Sequence, residues 1–164
     1  MSSVGRKLFD LEAYEARARL WPCFVCAFLK GEPGHEHELV YEDADHVAFL
    51  DRWPTLPGKV LVAPREHVED VVSGFSDDGY LRMMQAVRRV ALAVEEALAP
   101  ERVYLLSLGS RQGNPHVHWH VAALPPGTPY EQQQFHALMA EHGVADVGPA
   151  ETARIAAELR RRLA

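Results

Sequence analysis

His116-Val117-His118-Trp119-His120-Val121-Ala122 sets three histidines at alternate positions. The two-residue period of a β-strand predicts that all three imidazoles face one side of a sheet, with Val117, Trp119 and Val121 on the other. Imidazole is the side chain whose unperturbed pKa lies in the neutral working range, so three on one face point to acid, base or nucleophile chemistry rather than to packing. On an extended strand His116 and His120 have Cα atoms ~13 Å apart, too far for all three rings to close on one metal ion. A split is expected, with an outer histidine taking a metal and the other two left for chemistry.

Working upstream, Val103 to Leu108 reads as a strand that runs through a Gly- and polar-rich loop to Pro115 and pairs antiparallel with the histidine strand. Ser76 with Asp77 and Asp78 starts the longest helix. Tyr80, Leu81, Met84, Val87, Ala91, Val94 and Leu98 carry it at three- and four-residue steps until Pro100. Val60 to Ala63 is an apolar run typical of a buried strand, ended by Pro64, and Leu39 to Tyr41 with Val47 to Leu50 reads as a hairpin around Glu42, Asp43 and Asp45. Leu8 to Leu20 has helical spacing broken by Pro22, so the cysteine pair that follows is expected to open a turn. Beyond Pro125-Pro126-Gly127, Tyr130 to Glu141 and Ala150 to Leu163 read as two amphipathic helices. Strands, one long connecting helix and flanking helices without βαβ alternation predict an α+β fold on an antiparallel sheet.

The chain has 164 residues, of which 48% are hydrophobic, enough for one domain with a real core. A net charge of −6 argues against a binder of nucleic-acid polymers, which must neutralise phosphates with clustered cations, and leaves small phosphate ligands open. Arg160-Arg161-Arg162 reads as cations at the negative end of a terminal helix. The amino terminus lacks a secretory pattern and no apolar run is long enough for a membrane span, so a cytoplasmic protein with no membrane partner is expected. In that reducing setting Cys23 and Cys26 read as thiolate ligands or a redox pair rather than a structural disulfide. Their C-x-x-C spacing lets two thiolates meet one zinc ion, with His67 and the histidine strand able to supply nitrogens. The redox alternative wants a strand before the pair and a βαβ context, which a preceding helix and Pro22 do not provide.

The stretch His116 to Ala122 fits the His-φ-His-φ-His-φ-φ motif and resembles the histidine triad family of nucleotide hydrolases and transferases. Cys23-Phe24-Val25-Cys26 with Gly31-Glu32 resembles that family's zinc-binding amino terminus. Ala48-Phe49-Leu50-Asp51, followed by Pro57-Gly58-Lys59-Val60-Leu61-Val62-Ala63-Pro64-Arg65-Glu66-His67, resembles its next conserved stretch. The segments occur in the family's order and span residues 22 to 124, with helical extensions at both ends of a single domain covering 1 to 164. The resemblance implies a homodimer, with long helices and sheets packed across a two-fold axis and a small-molecule nucleotide in a cleft on each sheet. It implies Cys23, Cys26, His67 and His116 as ligands of a structural zinc, His118 as nucleophile and His120 as a phosphate or leaving-group contact. It also implies Asp51 as the acceptor for ribose hydroxyls and Phe24, Val25, Phe28 and Phe49 around the base, although these four serve equally as ordinary core.

The chain departs from the family at Arg111, at Gly113 in place of a hydroxyl residue, and at Ser107 in place of an upstream Asn. Gln112 and Asn114 remain as donors toward the phosphate. Gly113-Asn114-Pro115-His116 also resembles the transferase branch related to galactose-1-phosphate uridylyltransferase, but that branch carries Gln where this chain has His120, which favours hydrolysis. The expected function is hydrolysis at the α-phosphate of adenylated substrates, dinucleoside polyphosphates or nucleoside phosphoramidates, through a nucleotidyl-histidine. The competing readings are nucleotidyl transfer or phosphorolysis, a nucleotide-binding module with negligible turnover, and a metalloenzyme centred on the triad.

Overall fold

The computed structural model describes residues 5–111 and 113–164. In chain order the elements are β1 (Arg6–Lys7), α1 (Leu11–Leu20), α2 (Phe24–Leu29), β2 (Leu39–Glu42), β3 (His46–Leu50), β4 (Val60–Pro64), α3 (Asp77–Leu98), β5 (Arg102–Ser107), β6 (Trp119–Leu124), α4 (Phe135–Leu138), β7 (Val144–Ala145) and α5 (Pro149–Leu163). A five-stranded antiparallel sheet in the order β2-β3-β4-β6-β5 carries the fold, and β1 pairs separately with β7. Among the described residues no helix is long and apolar enough to cross a membrane.

The strand period sorts side chains onto two faces. Ala48, Leu50, Val60, Val62, Val121 and Ala123 pack against Met83, Val87, Val90 and Val94 of α3 and against Ile155 and Leu159 of α5. The alternate residues Val47, Phe49, Leu61 and Ala63 pack on the opposite face with Val25, Phe24 and Phe28 of α2. Because both faces are covered, β3 and β4 are buried throughout. This is why Val60 to Ala63 shows an apolar run and no alternation. His120 pairs with Leu61 across the β4–β6 ladder, which places it on the α2 face.

Ser76 caps α3 by accepting from the Gly79 amide at 3.1 Å, with Asp77 and Asp78 in the positive first turn, as the sequence predicts. Met83 is fully buried in the core and Met84 packs beside it. Three expectations need correction. The first helix starts at Leu11 behind an Asp10 cap, later than Leu8, because the Asp10 carboxylate accepts from the Ala13 amide at 2.9 Å. The cysteines do not form a turn: Cys23 caps α2 and Cys26 lies within it. Tyr130 to Glu141 is not one helix but two single 3₁₀ turns flanking the four-residue α4, interrupted where Gln134 adopts φ 54°. The β1–β7 pair carries no sequence signal, being two residues long on each side.

The β2–β3 turn shows how local polar chemistry fixes a register. Asp43 accepts from Tyr41 Oη at 2.7 Å and from the amides of Asp45 and His46 at 2.8 and 2.7 Å. Burial alone pushes its carboxyl up, but these donors outweigh it and hold the pKa at about 2. Its folded value lies below the ordinary 3.8, so it contributes stability above that value and loses it as pH falls through about 2. Asp43→Asn is expected to cost ~1 kcal/mol near neutral pH, discounted for the turn's partial exposure, and almost nothing near the acid end of that window. Chemical denaturation at both pH values checks it.

Candidate active site and metal centre

Cys23 caps α2 with its own sulfur, Sγ accepting from the Cys26 amide at 3.5 Å, and the helical i, i+3 spacing brings Cys26 to the same side. His67 enters from the segment after β4, and His116 from the loop before β6. Cys23 Sγ lies 3.2 Å from His116 Nδ1, and Cys26 Sγ lies 3.4 Å from His67 Nδ1 and 3.6 Å from His116 Nδ1. All four donor atoms fall within 4.8 Å of one another. Tetrahedral zinc with its usual bond lengths sets sulfur and nitrogen about 3.5 Å apart, so the donor set fits such an ion without rearrangement. The outer nitrogens are also engaged: His116 Nε2 donates to the Pro64 carbonyl at 2.8 Å and His67 Nε2 to Glu69 at 2.9 Å. This assignment leaves each Nδ1 lone pair facing the cysteines, the orientation that supporting hydrogen bonds give to metal-ligating histidines. Burial first, then the neighbouring Cys23, pushes the Cys26 thiol up to about 11, a penalty that a bound cation would remove.

The triad departs from the expected strand. Strand β6 begins at Trp119, where Ser107 supplies the last pairing partner on β5, so His116 and His118 stand in the loop before it. That loop is held by the Val117 amide donating to the Val68 carbonyl at 2.7 Å. The expected division of labour is nevertheless present, with His116 turned to the cysteines and the His118 and His120 rings 4.9 Å apart. His118 Nδ1 donates to the His116 carbonyl at 2.7 Å, which leaves Nε2 as the free lone pair. The Phe24 ring meets it edge-on at 5.2 Å, and Ser107 Oγ donates to the His118 carbonyl at 2.9 Å. Burial pushes the His118 pKa below its ordinary value, and burial first, then the Lys59 charge, lowers His120 to about 3. Both rings are neutral near pH 7. This chemistry suits a nitrogen nucleophile beside a second imidazole.

Asp51, just after β3, is partly buried. Its Oδ2 pairs with Lys59 Nζ at 3.1 Å and its Oδ1 accepts from the Trp53 amide at 3.0 Å. Burial is the largest influence and opposes the charged form, but the Lys59 charge and the hydrogen bonds from the Trp53 amide and Lys59 together keep the pKa below the ordinary value. Phe24, Asp51, Asn114, His118 and His120 line one cavity of about 90 Å³. Val25 and Phe49 are fully buried behind Phe24, and Phe28 packs with them, so these three back the cavity and do not line it. Asn114 adopts φ 51° and its Nδ2 donates to Tyr14 Oη at 2.7 Å. Gln112 lies outside the described residues.

Sequence reading missed three contributors. Lys59 follows Pro57-Gly58 in the quoted stretch, and a lysine opening a buried strand was the available signal for a paired charge. His37 wedges between Phe28 and Phe49, at 5.3 and 4.6 Å, and lines the cavity with no local pattern to mark it. Tyr14, Arg17, Ala18 and Trp21 of the first helical segment line the cavity, and the helical spacing of that segment gives no sign of where it docks.

Comparison with known proteins adds an independent line. A model of the HIT domain matches residues 32–126. The chain is 35% identical over 101 residues to an uncharacterized HIT-like protein of Saccharolobus solfataricus, spanning 59% of this chain and 72% of that protein. It is 31% identical over 106 residues to an adenosine 5′-monophosphoramidase of Schizosaccharomyces pombe, spanning 63% and 74%. Among solved structures, a Zn-bound histidine triad family protein from Mycobacterium smegmatis superposes with a TM-score of 0.65 at 25% identity, covering 86% of this chain and 92% of that one.

Proposed function

Because the chain belongs to the HIT domain family, we propose that it hydrolyses adenylated substrates at the α-phosphorus through a covalent nucleotidyl-histidine on His118. The observation that carries this reading is the 2.7 Å bond from His118 Nδ1 to the His116 carbonyl, which fixes the tautomer with Nε2 unprotonated. In the first step the Nε2 lone pair forms a bond to phosphorus as the bond to the leaving group breaks; the leaving group departs with the bonding electron pair, taking a proton from solvent where it is an amine, and the attacking water of the second step returns that proton. In the second, water adds to phosphorus, the N–P bond breaks, and the nucleoside monophosphate leaves a neutral His118. Candidates for stabilising the phosphoryl oxygens are His120, the Asn114 and Gln112 side chains and loop amides. Asp51 retains acceptor capacity beyond Lys59 and Trp53 and is read as the ribose acceptor.

We assign zinc to Cys23, Cys26, His67 and His116, whose donor atoms lie within 4.8 Å of one another, a reading supported by the Zn-bound state of the similar protein from Mycobacterium smegmatis. Such an ion supplies a structural cross-link. It would hold His116, and through that residue's carbonyl the ring of His118. We read the chain as one catalytic domain with a core over residues 22 to 124. We also read it as a homodimer that uses the β5 edge and the outer face of α3, where Leu105 and Leu92 are exposed.

Substrate class is tested by measuring adenosine monophosphate release from a panel of phosphoramidates, dinucleoside polyphosphates and aminoacyl adenylates. Absence of turnover on all of them, with nucleotide binding retained, would support instead a binding module, a reading motivated by Gly113 in place of the loop hydroxyl. Asp51→Asn is expected to weaken ribonucleotide binding by about 1 to 3 kcal/mol, with a much smaller effect on a 2′-deoxy analogue. Calorimetry on both ligands decides it, and equal losses would mean that Asp51 shapes the loop around Trp53 without reading the sugar.

A further inference from the structure

Residues 5–22 form a strap that lines the His118 cavity with Tyr14, Arg17, Ala18, Trp21 and Pro22. Its near end is anchored by β1, where Arg6 pairs with Ala145 and its guanidinium donates to the Thr55 and Ala137 carbonyls at 2.7 and 2.9 Å. Its far end runs through Trp21 and Pro22 into Cys23 at the metal cluster. Between these anchors α1 buries no residue. The strap rests on the site through the Asn114 amide donating to Tyr14 Oη at 2.7 Å, the Tyr14 ring edge-on to Trp53 at 5.3 Å, the Phe9 ring tilted against Trp53 at 6.0 Å, and Trp21 edge-on to His35 at 5.3 Å. Ala18 Cβ lies 3.4 Å from the position a Cβ on Gly113 would take.

Two consequences follow from this geometry. The cavity of about 90 Å³ falls well below the roughly 300 Å³ at which small-molecule sites begin, and His118 is only 6% exposed. Tyr14, Arg17 and Ala18 of α1 are among the residues that narrow the cavity. In addition, the Tyr14 hydroxyl occupies the Asn114 amide, a donor suited to a phosphoryl oxygen, so closure without substrate uses up part of the recognition chemistry. An element with no buried side chain, fixed at its two ends, is the type of segment that opens at low free-energy cost.

We propose that α1 is a lid closed by the Tyr14–Asn114 contact, which substrate must displace to reach His118. The purpose assigned to the lid rests on the nucleotide reading above, but its movement can be measured without any nucleotide. A Cβ separation of 3.4 Å at Ala18 and Gly113 is close to that of a disulfide, so an Ala18→Cys, Gly113→Cys variant can be locked by oxidation and released by dithiothreitol. Carbethoxylation of His118 by diethyl pyrocarbonate, followed by peptide mass mapping, should be at least about tenfold slower in the oxidised than in the reduced form. Tyr14→Phe keeps the ring packing and removes the acceptor, and should speed His118 modification by about three- to tenfold. Calorimetric binding of adenosine 5′-monophosphate should be lost on oxidation and restored on reduction. Equal His118 reactivity in the locked and released forms would overturn the lid. Altered reactivity without nucleotide binding by wild type would uphold the lid and count against the nucleotide reading.

Discussion

His118→Ala is expected to lower turnover by at least about a thousandfold while leaving nucleotide affinity within a few-fold of wild type, since the ring supplies the bond to phosphorus rather than binding energy. The ring is held by the His116 carbonyl and flanked by Phe24, and Ser107 fixes the backbone carbonyl of the same residue. Truncation to Ala leaves those neighbours in place, so loss of rate with retained binding isolates the chemistry. Steady-state kinetics combined with calorimetry checks it. Retention of more than about a tenth of the wild-type rate would remove His118 from the role of nucleophile. His120→Ala is the informative companion, because a contact to phosphate or leaving group should cost less than the nucleophile itself.

The second large effect concerns the metal cluster. Cys23→Ser with Cys26→Ser is expected to abolish tight zinc binding and to lower stability by about 3 to 5 kcal/mol, or roughly 10 °C or more in Tm. The cluster ties α2, the segment after β4 and the triad loop together across chain separations of 41 and 93 residues, and the sheet between them does not replace that cross-link. Elemental analysis of protein purified without chelator should give one zinc per chain for wild type and none for the variant. Absence of metal from wild type, or an unchanged Tm in the variant, would contradict the assignment. Activity should fall as well, because His116 both faces the cysteines and supplies the carbonyl that orients His118.

Much of this architecture is legible in the chain because its signals are local and strong. The Ser76 cap, the three- and four-step apolar stripe of α3 and the Pro100 stop are each short-range, and the helix follows them closely. Cys23 and Cys26 were nameable from their C-x-x-C spacing, whereas the full set with His67 and His116 came from the family resemblance. What was not legible depends on tertiary partners. The triad was expected to be strand throughout, yet β6 cannot begin before Ser107 supplies a partner, and the earlier residues bond instead to Pro64 and Val68. Tyr130 to Glu141 carries a helical pattern, but Gln134 at positive φ breaks it into single turns. The covering of His118 by α1 was invisible because Tyr14 and Ala18 meet the site through one hydrogen bond, ring edges and a small residue.

The central claim is that His118 Nε2 becomes covalently bonded to the α-phosphorus. Rapid-quench mixing of wild type with substrate labelled at the α-phosphate, followed by alkaline digestion and mass spectrometry, tests it most directly. The account predicts an acid-labile nucleotidyl adduct on the His118 peptide that forms and decays at rates compatible with turnover, and that is missing from His118→Ala. Turnover with no adduct at any quench time, or an adduct carried on His120, would contradict it.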